Sequence, residues 1–263
     1  MTSEKTVSEL IRNNKGIASA AAIFTLLSIM YFFPPADLKA GLPDFVVDYR
    51  VAWPLLTLTI ASCFLVSWPI AFAMLFSFAG DFFGAYGSFV CQMGCFAAAH
   101  AFFIYFFSTR FKAVSTLSAI RMKIASRKDA ETYNELRLKK IVVFCLACIV
   151  SMFFIAIFIS FILPSIDKGM LRIGCGIYAG LISIMLGTAL LQRDPGFGIG
   201  ALLFVLSDLV LAWDKFVSPV EYRSFLVLIP YYAGQLLIWL RASIDNARRN
   251  KACMRPSSLT VRQ

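Results

Sequence analysis

The chain has 263 residues, of which 59% are hydrophobic and only 15% are charged, and its mean hydropathy is +0.76. This composition excludes a soluble domain, and the continuous rather than alternating apolar runs exclude a β-barrel. The net charge of +10 is concentrated in the two tails and one internal segment. That distribution indicates membrane topology, so we expect no nucleic-acid partner.

The apolar runs predict an all-α fold, a polytopic membrane helix bundle whose backbone hydrogen bonds close within each segment. We treat residues 1–263 as a single integral membrane domain with about eight transmembrane helices. In chain order the predicted spans are Gly16–Phe33, Val51–Ser67, Pro69–Tyr86, Ser88–Phe107, Ile141–Leu163, Met170–Leu191, Phe197–Trp213 and Phe225–Leu240.

Three basic segments set the predicted orientation: the tail 1–15, the segment 108–140 and the tail 241–263. Eight spans place all three on one face, and the positive-inside rule makes that face cytoplasmic, with both termini there. We favour a solvated cytoplasmic loop for 108–140; the alternative is that its helix-compatible stretch, residues 127–140, lies at the membrane surface. The first span is interpreted as a retained anchor. The membrane is the inner membrane if the protein is bacterial and the endoplasmic reticulum if it is eukaryotic.

Several common site types are disfavoured by the sequence. Cys91/Cys95 and Cys145/Cys148 have same-face helical spacing, but no second histidine or nearby carboxylate completes a metal site. The glycines of 196–200 follow no strand and lack the lysine of a phosphate-binding loop. There is no serine in a nucleophile elbow, which makes serine-hydrolase chemistry a weak alternative. The lack of a second histidine makes metalloprotease chemistry a weak alternative as well. We expect neither a metal nor a cofactor.

The ionisable residues inside the apolar runs are Asp81, His100 and Asp208. A charge at the centre of a bilayer costs about 3 kcal/mol, so such residues are functional candidates. The predicted topology puts Asp81 and Asp208 at matching depth near the outer ends of their spans, with His100 deeper. At a rise of about 1.5 Å per helical residue, equal positions along the two spans mean equal depths. From this matched depth we predict that the two carboxyl groups approach within about 10 Å of each other.

Polar residues of the last span complete the expected site. Tyr231 and Gln235 are four residues apart and share a helical face, while Tyr232 lies on a neighbouring face. The spacing Gly80-x-x-x-Gly84 predicts a close helix–helix approach beside Asp81.

Four stretches of sequence together carry a family resemblance. They are Ser77-x-x-Gly80-Asp81, Phe89-x-x-Gln92-Met93-Gly94-x-Phe96-x-x-Ala99-His100-x-x-x-x-Tyr105, Gly200-Ala201-x-x-Phe204-x-x-Ser207-Asp208-x-x-x-Ala212-x-x-x-Phe216 and Tyr231-Tyr232-x-x-Gln235-Leu236-Leu237-Ile238. In these residues the chain resembles the YhhN family of membrane proteins, which includes the animal lysoplasmalogenases. It departs from the family at the start of the second span, where Arg50 precedes Trp53-Pro54 in place of Lys-Pro.

The resemblance implies hydrolysis of the vinyl-ether bond of a lysoplasmalogen, a lysophospholipid drawn from membrane lipid, to a fatty aldehyde and a glycerophospho-alcohol. Acid–base catalysis would fall to Asp81 and Asp208, with His100 orienting water or substrate. The expected substrate-binding positions are Ser77, Gln92, Tyr105, Ser207, Tyr231, Tyr232 and Gln235. Two other functions remain open at this stage: a proton-coupled transporter that uses the same buried residues, and a scaffold without chemistry.

Overall fold

A computed structural model describes residues 15–35, 38, 43–126 and 130–253. Residues 1–14 and 254–263, which make up most of the two predicted basic tails, lie outside the described residues. Throughout the described part the regular structure is helical, which confirms the all-α prediction.

Eight long helices follow one another along the chain. They are α1 (Lys15–Phe32), α2 (Trp53–Leu65), α3 (Trp68–Ala85), α4 (Phe89–Ser126), α5 (Ala130–Ile157), α6 (Met170–Leu190), α7 (Pro195–Phe216) and α8 (Arg223–Cys253). A five-residue helix, Asp44–Asp48, and a 3-10 turn, Arg50–Ala52, precede α2. Proline follows the first residue of α2 and α3 and opens α7, positions where its missing N–H has no helical partner to lose.

Within the described residues, seven of these helices are long and apolar enough to cross a membrane. The eighth is α2, which is shorter even when its preceding turn is included, over Arg50–Leu65. The chain is therefore a multi-pass membrane protein. All eight predicted spans correspond to helices, and only the second falls below full spanning length.

The segment 108–140, interpreted from sequence as a loop, is largely helical. Helix α4 continues from the membrane span to Ser126, and α5 begins at Ala130. The physical reason lies in the sequence: between Cys95 and Leu163 there is no glycine or proline to end a helix. The helix-compatible stretch 127–140 noted in the sequence agrees with this, since lysine, arginine, glutamate and alanine are good helix formers.

The most extensive helix contacts are those of α3 with α4 and of α7 with α8. At the second interface Gly200 and Gly234 bring the two backbones together, because a Cβ on Gly234 would lie 2.6 Å from the Gly200 carbonyl oxygen. At the first interface, Cβ atoms on Gly80 and Gly84 would clash with Phe96 and Gln92 of α4. The predicted close approach at these two glycines is thus confirmed.

The first and last helices meet at one end of the bundle. Gly16, at the start of α1, packs against Leu65 at the end of α2. Asn246 of α8 donates a hydrogen bond to the Leu65 carbonyl oxygen over 3.1 Å. We call this the closed end, and the other end, where α3 and α7 finish and α8 begins, the cavity end.

Candidate functional site

A cavity of about 310 Å³ opens at the cavity end of the bundle. Its walls come from α1, α3, α4, α7, α8 and the turn before α2. The lining residues are Tyr31, Asp48, Arg50, Val51, Asp81, Gly84, Ala85, Gln92, Phe96, Ser207, Asp208, Leu211, Arg223, Ser224, Val227, Leu228 and Tyr231. Two of the three predicted ionisable residues, Asp81 and Asp208, therefore face one chamber.

Asp81 is fixed by the last helix. It is only 5% exposed, and Tyr231 of α8 donates a hydrogen bond to its Oδ2 over 3.1 Å. One turn along each helix, Gln235 Nε2 donates to Ser77 Oγ over 2.9 Å. These two contacts fasten α3 to α8 by their polar side chains and aim the Asp81 carboxyl group at the cavity.

Asp208 belongs to a separate polar group that α4 and α6 complete. Tyr178 of α6 donates a hydrogen bond to Asp208 Oδ2. Behind it, His100 Nε2 lies 3.1 Å from the Tyr178 hydroxyl and 3.6 Å from Asp208 Oδ2. His100 is completely buried and its ring packs edge-on against Phe204. Asp208 is therefore held by residues of α4 and α6, whereas Asp81 is held by α8.

The mouth of the cavity is charged. Arg50 lies over the Tyr31 ring, with 5.4 Å between its guanidinium carbon and the ring centroid. Its Nη1 donates weakly to the Val47 carbonyl oxygen over 3.5 Å, while its buried Nε has no hydrogen-bond partner among the described residues. Tyr232 fixes the same turn by donating to the Val51 carbonyl oxygen over 2.7 Å. Arg223, which also lines the cavity, pairs with Asp214 over 2.6 Å.

A second, narrow cleft leads away from Asp208 into apolar surroundings. Its volume is about 40 Å³, and it shares Gln92, Phe96, Asp208 and Leu211 with the main cavity. The remaining lining residues are Phe89, Met93, Phe158, Cys175, Tyr178, Ala212 and Phe216. Asp208 thus lies at the boundary between a polar chamber and an apolar cleft.

The structure places the other predicted site residues at varying distances from the cavity. Ser207, Gln92 and Tyr231 line it directly. His100, Ser77, Tyr232 and Gln235 are buried behind its wall and act through the hydrogen bonds described above. Tyr105 is not brought to the cavity. It is 48% exposed and packs against Trp68, the first residue of α3, thirteen residues or about 20 Å from Asp81.

Sequence reasoning missed Tyr178, which joins His100 to Asp208. A tyrosine in the middle of a span could have indicated a functional hydroxyl group. Because tyrosine is common in membrane helices near the surface, its presence alone does not predict a site. Arg50 was noted only as a departure from a family pattern, yet it lines the cavity. Within the described ranges no cluster of three histidine, cysteine or acidic residues suits a metal ion.

The helices and the cavity together define a class of protein: a polytopic helical membrane protein with two carboxyl groups facing a chamber near one membrane surface. Comparison with known proteins identifies the family. The model of the YhhN family matches residues 49–242, and the chain belongs to that family.

Curated relatives match shorter parts of the chain. Lysoplasmalogenase TMEM86A of Bos taurus is 34% identical over 108 residues, covering 35% of this chain and 45% of its own. Lysoplasmalogenase TMEM86B of Homo sapiens is 39% identical over 85 residues, covering 32% and 37%. The Sus scrofa TMEM86B protein is 44% identical over 64 residues, covering 23% and 28%. The chain therefore spans less than half the length of these relatives. No solved structure matches it.

Proposed function

We propose that this protein hydrolyses the vinyl-ether bond of lysoplasmalogens, releasing a fatty aldehyde and a glycerophospho-alcohol, with Asp81 and Asp208 as the acid–base pair. The relatives named lysoplasmalogenase support the substrate class. The cavity supports the chemistry, because its volume of about 310 Å³ is within the range of small-molecule sites and both carboxyl groups face it.

One observation carries this proposal: the position of Asp208 where the polar chamber meets the apolar cleft. In a lysoplasmalogen the vinyl ether lies at the corresponding boundary, since it joins the glycerol to the hydrocarbon chain. A substrate with its head group in the chamber and the start of its chain in the cleft presents that bond to Asp208. A carboxyl group elsewhere in the bundle would face only one half of such a molecule.

The reaction requires both carboxyl groups. A carboxylic acid adds its proton to the outer vinyl carbon, which forms a C–H bond and leaves an oxocarbenium ion. A carboxylate stabilises that cation and takes a proton from the water that attacks it. The resulting hemiacetal collapses: its hydroxyl proton returns to the first carboxyl group, the second carboxyl group gives the proton that it took from water to the glycerol oxygen, and the C–O bond to glycerol breaks. One water is consumed and no oxidant is needed, so the protonated acid and the carboxylate are regenerated together.

The charged mouth of the cavity suits the head group of such a lipid. Arg50 and Arg223 bring two cations to it, and guanidinium groups bind phosphate oxygens well. Tyr232 and Tyr31 fix the backbone and the plane of the Arg50 guanidinium group, so its geometry is set before the lipid binds.

The test is aldehyde release by purified protein in detergent from a lysophospholipid with a 1-alkenyl chain. Asp81→Asn and Asp208→Asn keep side-chain volume but can neither donate an acid proton nor hold a negative charge. We expect each to lower turnover by about 10²–10⁴-fold. The double variant should be little worse than either single variant, because the pair acts as a unit.

Asp167→Asn is the matched control, since Asp167 is exposed in the turn between α5 and α6. It should retain full activity. All four variants should keep the wild-type elution profile on size exclusion. Turnover retained in both single Asn variants would refute the pair. Release from an ester-linked lysolipid alone, with none from the vinyl ether, would refute the substrate.

A further inference from the structure

The group formed by His100, Tyr178 and Asp208 contains an asymmetry that fixes where its protons lie. His100 Nε2 faces the Tyr178 hydroxyl at 3.1 Å, and that hydroxyl in turn contacts Asp208 Oδ2. The other ring nitrogen, Nδ1, is buried and has no hydrogen-bond partner among the described residues. Only one of the two ring nitrogens therefore has a group to bond with.

A tyrosine hydroxyl has a single proton to donate, so the chain of contacts runs in one of two directions. If Tyr178 donates to Asp208, its oxygen accepts from a protonated His100 Nε2, and the unpartnered Nδ1 is a bare acceptor. If Asp208 donates to Tyr178 instead, Tyr178 donates to His100 Nε2, and the proton of the neutral ring falls on Nδ1. That second arrangement buries an N–H with no partner, and orphaned buried donors are rarer than orphaned acceptors.

We infer that Tyr178 is a positioning residue that, with His100 donating behind it, holds Asp208 in its ionised form and leaves Asp81 as the proton donor. The inference rests on the proposed function for the roles in catalysis, but the proton positions follow from the contacts alone. Asp81 has one hydroxyl partner, Tyr231, and is 5% exposed, whereas Asp208 contacts the Tyr178 hydroxyl and has His100 Nε2 3.6 Å from its Oδ2. The two carboxyl groups are therefore not equivalent.

Other charged groups around Asp208 belong to the same chamber. The titratable or charged residues that line the cavity with it are Tyr31, Asp48, Arg50, Asp81, Arg223 and Tyr231. The two arginines favour a carboxylate at Asp208, and Asp81 in its neutral form does not oppose one. On the side facing α4 and α6, Cys175 lines the cleft, and among the described residues Tyr178 and His100 are the polar groups that approach the Asp208 carboxyl group.

His100 is the only histidine in the chain, so a single labelled residue reports the proton position. Wild-type protein carrying ¹⁵N-histidine, measured by NMR in detergent micelles, should show a neutral ring with Nε2 protonated and Nδ1 bare. A ring protonated on Nδ1, or an imidazolium ion at neutral pH, would overturn the inference. This readout needs no substrate, so it separates the proton arrangement from the proposed reaction.

Tyr178→Phe then tests the role in turnover. It removes only the hydroxyl, so KM should change little while kcat falls about 10- to 100-fold, the range for losing a hydrogen bond to a charged group. A fall in kcat with KM kept separates the positioning of a reacting group from a loss of substrate binding. Tyr86→Phe, an exposed tyrosine outside the cavity lining, is the control and should leave both kcat and KM unchanged.

His100→Leu should also lower kcat with KM nearly kept, and the Tyr178→Phe/His100→Leu double variant should add little to either change. Additive losses, or a rise in KM with kcat kept, would show a structural role only and overturn the inference. The predicted NMR tautomer together with no aldehyde release from any vinyl-ether lysolipid would instead refute the proposed function and leave the proton arrangement standing.

Discussion

The contact between Gly234 and Gly200 makes a stability prediction whose size follows from the geometry. In Gly234→Ala the new Cβ would lie 2.6 Å from the Gly200 carbonyl oxygen and 3.2 Å from the Phe204 nitrogen. Both obstacles are backbone atoms, which cannot rotate away as a side chain can. An ordinary carbon–oxygen contact is about 3.3 Å, so α7 and α8 must separate by about 0.7 Å. Forced overpacking of this kind costs about 1–3 kcal/mol.

Gly180→Ala in α6 is the matched control, because a Cβ there meets no other atom within 4 Å. Both substitutions gain about 1 kcal/mol of helix propensity, so the difference between the two variants isolates the packing cost of about 1–3 kcal/mol. The assay is thermal unfolding of the purified proteins in one detergent, followed by tryptophan fluorescence. We expect Gly180→Ala at or above wild-type stability and Gly234→Ala well below it.

Equal stability of the two variants would contradict the close approach of α7 and α8. The same substitution also bears on the site, because Gly234 lies between Tyr231 and Gln235 on one helix and faces the helix that carries Asp208. A separation of about 0.7 Å is enough to disturb a catalytic geometry, since misplacement by about 1 Å can cost 10²-fold in rate. Activity measured at a temperature where Gly234→Ala is still folded should therefore fall as well.

Two further predictions concern orientation and the head group. Reporter tags at either terminus or near Arg127 should all be cytoplasmic, and a tag within residues 37–48 should be on the other face; termini on opposite faces would refute eight passes. Arg50→Gln should raise KM for a lysophospholipid about 10-fold or more, as expected for a lost charge-assisted contact, with kcat nearly kept. Arg172→Gln, which changes an arginine outside the cavity lining, should leave KM unchanged, and an equal effect of both would remove the head-group role.

The fold was predictable because membrane-spanning helices can be recognised from the order of residues along the chain. Runs of apolar residues long enough to cross a bilayer stand out from composition alone, and each predicted span corresponds to a helix. The cytoplasmic placement of 108–140 stays a prediction, and the segment is largely helical because a chain with no glycine or proline can remain helical outside the membrane. The second helix is shorter than its predicted span because the predicted range included residues of the turn Arg50–Ala52.

The site was predictable where a residue is unusual in its surroundings. Asp81 and Asp208 stand out in apolar sequence, and both face the cavity. Tyr178 could not be found in the same way, because its meaning depends on contacts with residues 30 and 78 positions away. Tyr105 was expected at the site from its place in a motif, but five helical residues beyond His100 carry it about 7.5 Å further toward the closed end.

The same structure bears on the transporter alternative, beginning with the path between the cavity and the closed end. Beyond His100 the centre of the bundle is filled by aromatic rings. Phe103, Phe107 and Phe197 are fully buried, and the centroids of neighbouring rings lie 5.4 to 6.3 Å apart. Arg110 lies over the Phe197 ring, 4.9 Å from its centroid, and Gln192 donates to the Phe107 carbonyl oxygen over 2.9 Å, so polar side chains contact this layer.

Ion pairs then hold the closed end together. Arg241 of α8 donates to both oxygens of Asp194, the N-cap of α7, with Nε contacts of 2.9 and 3.1 Å. Arg110 of α4 pairs with Asp245 of α8, and all four side chains are only 12–23% exposed. Alternating access would require separating both partly buried pairs as well as the aromatic layer. Hydrolysis requires neither, because Asp81 and Asp208 both line a cavity that opens at the cavity end, and this favours an enzyme over a transporter.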